Sequence, residues 1–239
     1  MKVLTEVDLR SELKSGMTDK YSVARDVIIT PSARQYLKEN NIQLVIVEKD
    51  ITKDSSSHYI SSYTGAAMKE KPEHMTHLYG NKLVYKDDSK IVFRGKLDSL
   101  QAEILELQVL THTRGAVKLT NELEEVLGYC RQMLKAEVLN EAFNIVTIIG
   151  LNQEQLREMS HHVKDHFGMQ HILPNYQMGE ILTRLNTLRT KARETEIAAV
   201  EAFREKDEVK RLDIIKALNR LSSCIYVMMC RYKSGLYNE

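Results

Sequence analysis

The stretch Leu97–Leu134, LDSLQAEILELQVLTHTRGAVKLTNELEEVLGYCRQML, decides the fold. Its apolar residues recur every three or four positions: Leu97, Leu100, Ile104, Leu107 and Val109/Leu110, then Leu119, Leu123, Val126/Leu127, Cys130 and Leu134. This spacing lines one face of an α-helix and would scatter over both faces of a strand. The pattern begins near Lys90, and the second stripe continues toward Ile149 with a stop at Gly150. Further on, Asn152 with Gln155 reads as a capping box, opening a third helix that ends near Gly168. Pro174-Asn175 is a break. A long fourth helix carries Leu185, Leu188, Ala192 and Ala199 on one side. Asp207 is placed to cap a fifth, with Ile214/Ile215, Leu218, Leu221, Ile225 and Met228/Met229 facing inward. Five consecutive helices with short links imply an antiparallel five-helix bundle over residues 90–239, an all-α class.

Upstream the pattern changes. Thr30-Pro31 is a helix start, with Thr as cap and Pro at the first helical position. The helix runs to about Glu39, Asn40-Asn41 breaks it, and Ile42 to Val47 reads as a β-strand. Residues 1–60 are thus expected to form a small mixed α/β module. The polar, Ser-rich stretch Thr52 to Tyr63 reads as a linker, and 61–89 as linker and loop.

Composition narrows the possibilities. With 43% apolar and 28% charged residues in 239, the chain has enough material for a sizeable core. A net charge of +1 argues against a globally basic nucleic-acid binder. The most apolar run, Cys224 to Cys230, is far too short to span a bilayer, and Met1 to Arg10 lacks the apolar run of a signal peptide. Three loosely spaced Cys among apolar helical residues read as reduced thiols of a cytoplasmic protein. Neither a phosphate-binding P-loop nor a dinucleotide glycine motif is present.

Three polar clusters stand out on this background. Arg189, Arg193 and Glu196 lie at i, i+4 and i+7 on the long helix and share a face. Two adjacent guanidinium groups repel, and an anion facing them relieves that; a solvated charged face is the plainer alternative. Asn219, Ser222/Ser223 and Tyr226 form a polar face on the last helix, opposite its Leu stripe. Lys82, Lys86, Lys90, Arg94 and Lys96 crowd the approach to the first long helix, with Gly80 and Gly95 giving backbone freedom. Basic residues leading into a helix N-terminus can hold phosphate, though an exposed basic loop has the same composition. His162 and His166 have a two-imidazole metal spacing, but no further ligands are fixed, so helix histidines without metal are the simpler reading. Glu158-x-x-His161 fits only one half of a di-iron motif.

The three clusters together resemble one family. Gly80 to Ile104, GNKLVYKDDSKIVFRGKLDSLQAEI, resembles the segment of PduO-type cobalamin adenosyltransferases that ends in a Gly-Thr-Val-Asp-Glu-Leu-Asn turn, with Gly95 and Asp98 at its Gly and Asp. His171 to Glu196 is similar to the family's F-V-L-P…R-T-x-x-R-x-x-E element, and Ala217 to Arg231 to its closing L-N-R-L-S-D helix, where Asn219, Arg220 and Ser222 match. Ile29 to Val47 and Lys71 to Lys82 resemble the EutT-type adenosyltransferases of ethanolamine utilisation. Three departures are visible. The glycine-rich Thr-Lys-Thr-Gly loop of the PduO type is reduced to Thr76-His77-Leu78 and Gly80. The Cys-rich metal motif of many EutT-type proteins has no counterpart, since Ser55 to Lys71 contains no Cys, so a variant without a protein-bound transition metal is expected. His171 also stands where the family has the Phe that crowds the lower cobalt face.

The resemblance implies an ATP:corrinoid adenosyltransferase. Cobalt of cob(I)alamin attacks C5′ of ATP, the C5′–O bond breaks, and triphosphate leaves. It implies ATP contacts from Thr76, His77, Lys82, Lys90, Arg189, Arg193, Glu196 and Asn219, with Mg²⁺ carried only by ATP. Catalytic roles fall to Arg193, Asp98 and Arg189, the last two as a pair across a homotrimer interface. A corrinoid wall is implied from Phe167, His171, Ile172 and Tyr176. Implied partners are a cob(II)alamin reductase and ethanolamine ammonia-lyase, in the cytoplasm or a bacterial microcompartment. Separately, the weakly amphipathic Val3 to Leu13 reads as a short docking tag, the feature on which a microcompartment scaffold bundle would be a rival reading. A delivery protein that holds corrinoid without chemistry is the alternative.

Overall fold

A computed structural model of the chain describes residues 2–6, 9–10, 20–24, 27–47 and 59–237, in two compact units, Met1–Ser56 and Ser57–Glu239. In the first unit, strands β1 (Lys2–Leu4), β2 (Lys20–Ala24), β3 (Val27–Ile29) and β4 (Gln43–Val47) make two parallel pairs, β1 with β3 and β2 with β4. Helix α1 (Pro31–Glu39) begins as its sequence requires: the Thr30 hydroxyl accepts the Ala33 amide at 3.3 Å, and Pro31 has no amide to satisfy. Its Ala33 and Leu37 are buried with Leu4, Leu9 and Val23. Of the Val3–Leu13 segment, Val3 and Leu4 belong to strand β1, while 7–8 and 11–13 lie outside the described residues.

The second unit opens with a sheet where the sequence suggested linker and loop. Strands β5 (Tyr59–Ser61), β6 (Ala67–Met68), β7 (Met75–Tyr79) and β8 (Lys82–Tyr85) lie in the order β6-β5-β8-β7. Each is too short, and too rich in Ser, Thr and Lys, to show a strong period-two signal. Met75 on β7 and the successive Leu83 and Val84 on β8 are buried, so both faces of β8 are covered.

Helices follow: α2 (Ser89–Thr113), α3 (Val117–Val138), α4 (Gln153–His161), α5 (Val163–Phe167), α6 (Gly179–Ala202) and α7 (Leu212–Lys233). The all-α class of this region holds, as do the stripes: Leu97, Leu100, Ile104, Leu107, Leu119, Leu123 and Cys130 are no more than 1% exposed. Helix α2 packs on α3 and α6, α6 on α7, and α4 on α7. Lys96–Glu194 at one level and Arg184–Glu106 at the other show α2 and α6 running antiparallel. The difference from five matched helices lies in the third, which is two short pieces of nine and five residues beside four long helices.

Three boundaries also differ. Helix α3 stops at Val138 rather than Gly150, because Asn140 turns left-handed (φ 54°), and Thr147–Ile148 (β9) then pairs with Leu151–Asn152 (β10). The apolar Ile148 and Ile149 cover the core from a hairpin, which a stripe count cannot distinguish from helix. The Asn152–Gln155 capping box forms as expected, but the helix breaks at His162 and only α5 reaches the left-handed Gly168. Asp207 does not cap α7. It sits in the turn between Arg204–Glu205 (β11) and Glu208–Val209 (β12), and Arg211 (φ 51°) opens the helix instead. The Arg211 guanidinium holds that conformation by donating to Asp213 at 3.1 Å and to the Glu141 carbonyl at 2.8 Å. Burial alone would raise the Asp213 carboxyl, yet these charge-assisted bonds and the Phe143 and Ile214 amides hold it below its ordinary value.

One ion pair ties the sheet to the bundle. Glu137, 1% exposed near the end of α3, accepts from Arg94 Nε at 2.6 Å and from the Tyr79 hydroxyl at 2.9 Å. Arg94 also reaches the Leu78 carbonyl at 3.1 Å. Strand β7, α2 and α3 therefore meet at one carboxylate. Arg94→Ala strands this charge, and the expected loss is about 3–5 kcal/mol, or roughly 10 °C in Tm by thermal unfolding. Arg94→Ala with Glu137→Leu is expected to recover most of it; a single variant with wild-type Tm would show the pair to be dispensable.

Candidate nucleotide and corrinoid site

Helices α6 and α7 lie antiparallel, so the polar face of each meets the other along one seam. At one level the Asn219 amide donates to Glu196 Oε1 at 2.9 Å. Arg220 donates to the Asn219 side-chain oxygen, which fixes the amide's orientation. Above this pair opens a cleft of about 570 Å³ lined by Arg193, Glu196, Ile197, Val200, Glu201, Arg204 and Asn219. Arg193 is exposed and has no carboxylate partner among the described residues. On the other side of the Glu196–Asn219 pair, Arg157, Lys216 and Arg220 border a second groove between α4 and α7. Burial, and then the Arg157 guanidinium, lower the Arg220 pKa, while Glu196 opposes. The Glu196–Asn219 pair is thus flanked by cations on both sides, an arrangement suited to a polyanion.

Two or three turns down the same seam, the Tyr226 hydroxyl receives the Ile172 amide at 3.1 Å and meets His171 Nδ1 at 3.1 Å. The His171 ring stacks on Tyr226, 17° from parallel. Burial raises the Tyr226 phenol, with the Ile172 amide and the Arg189 charge opposing. Ile172 is buried, whereas Leu173 and Tyr176 are 81% and 88% exposed, so the 171–176 strap offers an open apolar wall beside the seam. Phe167 on α5 is half-buried and packs against the core edge.

The expected site residues fall into groups. Arg193, Glu196 and Asn219 converge on the cleft. Arg189 is one turn below, donating to Asn186 Oδ1 at 3.0 and 3.2 Å. Asp98 is exposed and finds no ion-pair partner among the described residues. Asp98 and Gly95 lie within α2, not in a turn. Thr76 and His77 are on β7 opposite Val84 and Leu83, with Lys82 on β8. The Lys90 ammonium rests 5.6 Å over the Tyr79 ring. Thr76, His77, Lys82 and Lys90 do not line the cleft. Of the basic cluster, Arg94 is taken by Glu137, Lys86 by Glu73 at 3.0 Å and Lys96 by Glu194 at 3.3 Å, so only Lys82 and Lys90 lack a carboxylate partner among the described residues.

Sequence reasoning missed Ile197, Val200 and Glu201, although they continue the Arg189–Arg193 face by helical spacing. It also missed Arg204, which a hairpin delivers and no periodicity could announce. The histidines find ordinary partners: His166 Nε2 meets Glu158 at 2.6 Å and His162 Nδ1 meets Asp165 at 4.0 Å. No cluster of three or more His, Cys, Asp or Glu side chains suited to a metal ion occurs among the described residues. The three thiols are buried, and burial pushes Cys130 and Cys230 up to about 12 and raises Cys224 as well.

A predominantly helical bundle carries a cation-flanked cleft beside the open 171–176 strap. The cobalamin adenosyltransferase family profile matches residues 66–232. The corrinoid adenosyltransferase EutT of Salmonella typhimurium is 30% identical over 245 aligned positions, covering 95% of this chain and 90% of that protein. The protein of the same description from Escherichia coli is 29% identical over the same coverage. The chain belongs to the cobalamin adenosyltransferase family, and specifically to its EutT-type branch.

At neutral pH the three thiols are expected to resist alkylation by iodoacetamide in the folded protein and to react together in denaturant. Mass spectrometry counts the adducts; rapid labelling of the native protein would show a thiol open to solvent.

Proposed function

We propose that the protein transfers the 5′-deoxyadenosyl group of ATP to the cobalt of cob(I)alamin, releasing triphosphate and making adenosylcobalamin for ethanolamine ammonia-lyase. The observation that carries this reading is the convergence of Arg193, Glu196 and Asn219 on one cleft, beside the apolar 171–176 strap, within the family-matched residues. The relatives named as corrinoid adenosyltransferases support the substrate class.

Each residue then has a physical task. Negative charge gathers on the leaving triphosphate, and Arg193, with Arg204 beside it, stabilises it in a partly enclosed cleft. Asn219, its amide oriented by Glu196 and Arg220, holds the nucleoside so that C5′ stays near the cobalt, a proximity effect of several kcal/mol. Carboxylates of Glu196 and Glu201 are hard oxygen donors suited to Mg²⁺ arriving with the phosphates. Lys82 and Lys90, free of carboxylates, serve the triphosphate's far end; Thr76 and His77 on β7 adjoin them. The strap of His171, Ile172 and Tyr176, with Phe167 near it, forms the wall against the lower face of the corrin. Exposed Leu173 joins that wall. The absence of Cys from 55–71 favours a protein without its own transition metal.

Asp98 has no ion-pair partner among the described residues and Arg189 bonds to the neutral Asn186, which leaves both charges to pair between neighbouring subunits of a homotrimer. Asp98→Ala is expected to weaken the trimer, read by light scattering, and to lower activity with it. A trimeric Asp98→Ala with wild-type kinetics would remove the pair from the account. The function itself is tested anaerobically with chelator-treated protein, cob(I)alamin and Mg·ATP, following the visible spectrum for a light-sensitive alkylcobalamin. Wild type turns over; Arg193→Ala is expected to lose about 10²–10³ in kcat, and Asn219→Ala to lose at least tenfold. Activity only with added Zn²⁺ or Fe²⁺ would overturn the metal-free part. Tight corrinoid binding with no turnover under any condition would make the protein a carrier.

A further inference from the structure

We propose that Tyr226 is a positioning residue that locks His171 into the tautomer with its proton on Nε2, so that His171 meets the corrinoid as a hydrogen-bond donor and not as a cobalt ligand. This rests on the reading above that the 171–176 strap borders the corrin.

The tautomer follows from the bonding capacity of one hydroxyl. A phenol oxygen has one hydrogen to give and two lone pairs to receive. The Ile172 amide, 3.1 Å away, can only donate, so it occupies one lone pair. His171 Nδ1 stands at the same distance and can either accept the phenol hydrogen or donate to the second lone pair. Were Nδ1 to donate, the phenol oxygen would have to accept twice while its own hydrogen was left to solvent, and a phenol is a better donor than acceptor. With Nδ1 as acceptor, the phenol gives its hydrogen to a strong acceptor and its oxygen accepts only from the Ile172 amide, so both bonds use each group in its stronger role. The positive charge of Arg189 near the hydroxyl further favours the phenol as donor. Ring stacking 17° from parallel holds the imidazole in the plane this bond needs.

The chemical consequence is at the far nitrogen. A neutral imidazole ligates metal through its unprotonated nitrogen, and here that lone pair is turned inward onto Tyr226. Nε2–H, on an exposed residue, faces outward. A histidine beside cobalt would otherwise be a strong axial ligand, and an axial ligand makes cob(II)alamin harder to reduce. Tyr226 thus makes a histidine tolerable where an apolar residue would do the same by having no lone pair at all. The clamp also anchors the strap to α7 through the Ile172 amide, so the wall and the tautomer are set by one group.

Long-range proton–nitrogen NMR of the ligand-free protein reads the tautomer directly, without reference to activity. The expected result is an unprotonated, pyridine-like Nδ1 and a protonated Nε2 in wild type, and a mixture in Tyr226→Phe, which keeps the stacked ring and loses the hydroxyl. A protonated Nδ1 in the wild type, or an unchanged tautomer in Tyr226→Phe, overturns the proposal. With cob(II)alamin and Mg·ATP, electron paramagnetic resonance is expected to show no axial nitrogen splitting in wild type. Splitting should appear in Tyr226→Phe and vanish in Tyr226→Phe with His171→Phe. Splitting in wild type also overturns it. Failure of every variant to bind corrinoid would count against the proposed function, while the NMR result would still decide the tautomer.

Discussion

Glu137 loses nearly all contact with water when the bundle closes, and leaving its carboxylate unpaired there would cost about 3–5 kcal/mol. Arg94 and Tyr79 satisfy it together. Because Arg94 comes from the first turns of α2 and Tyr79 from β7, satisfying this one charge joins the small sheet to the two helices. The same constraint withdraws Arg94 from the basic cluster, leaving Lys82 and Lys90 as its cations without carboxylate partners among the described residues. Arg94 is thus committed to a buried acid, while Lys86 and Lys96 are taken by Glu73 and Glu194.

The seam between α6 and α7 has a similar economy. Glu196, Asn219 and Arg220 form a short relay in which each group holds the next in place. The cleft and the neighbouring groove share Glu196 and Asn219, and Arg220 borders the groove. Further along, Tyr226 anchors the strap. Polar side chains on α7 act chiefly by orienting other groups, as precise substrate placement demands.

Composition and periodicity revealed the helical class because burying one face of a helix imposes a 3.6-residue rhythm on any sequence, and Leu97 to Leu134 carries it plainly. The capping box at Asn152 and the Thr30-Pro31 start were equally open, since a cap is a bond between neighbours in sequence. The same logic failed at Gly150 and Asp207. An apolar hairpin counts like a helix, and an Arg211 bridged to Asp213 and a distant carbonyl replaced the local cap. The strands over 59–85 were hidden because two to five residues are too few for a period.

For the site, helical spacing aligned Arg189, Arg193 and Glu196, and motif resemblance brought in Asn219 and the 171–176 strap. These are properties of single helices or of short stretches of chain. What only the tertiary structure decided was partnership: that Asn219 meets Glu196, that Arg204 arrives from a hairpin, that Arg94 is spoken for and that Tyr226 holds His171. The reason is physical. A sequence records which donors and acceptors exist, but a buried hydrogen bond joins groups tens of residues apart, and only closure of the bundle determines which of them must satisfy one another.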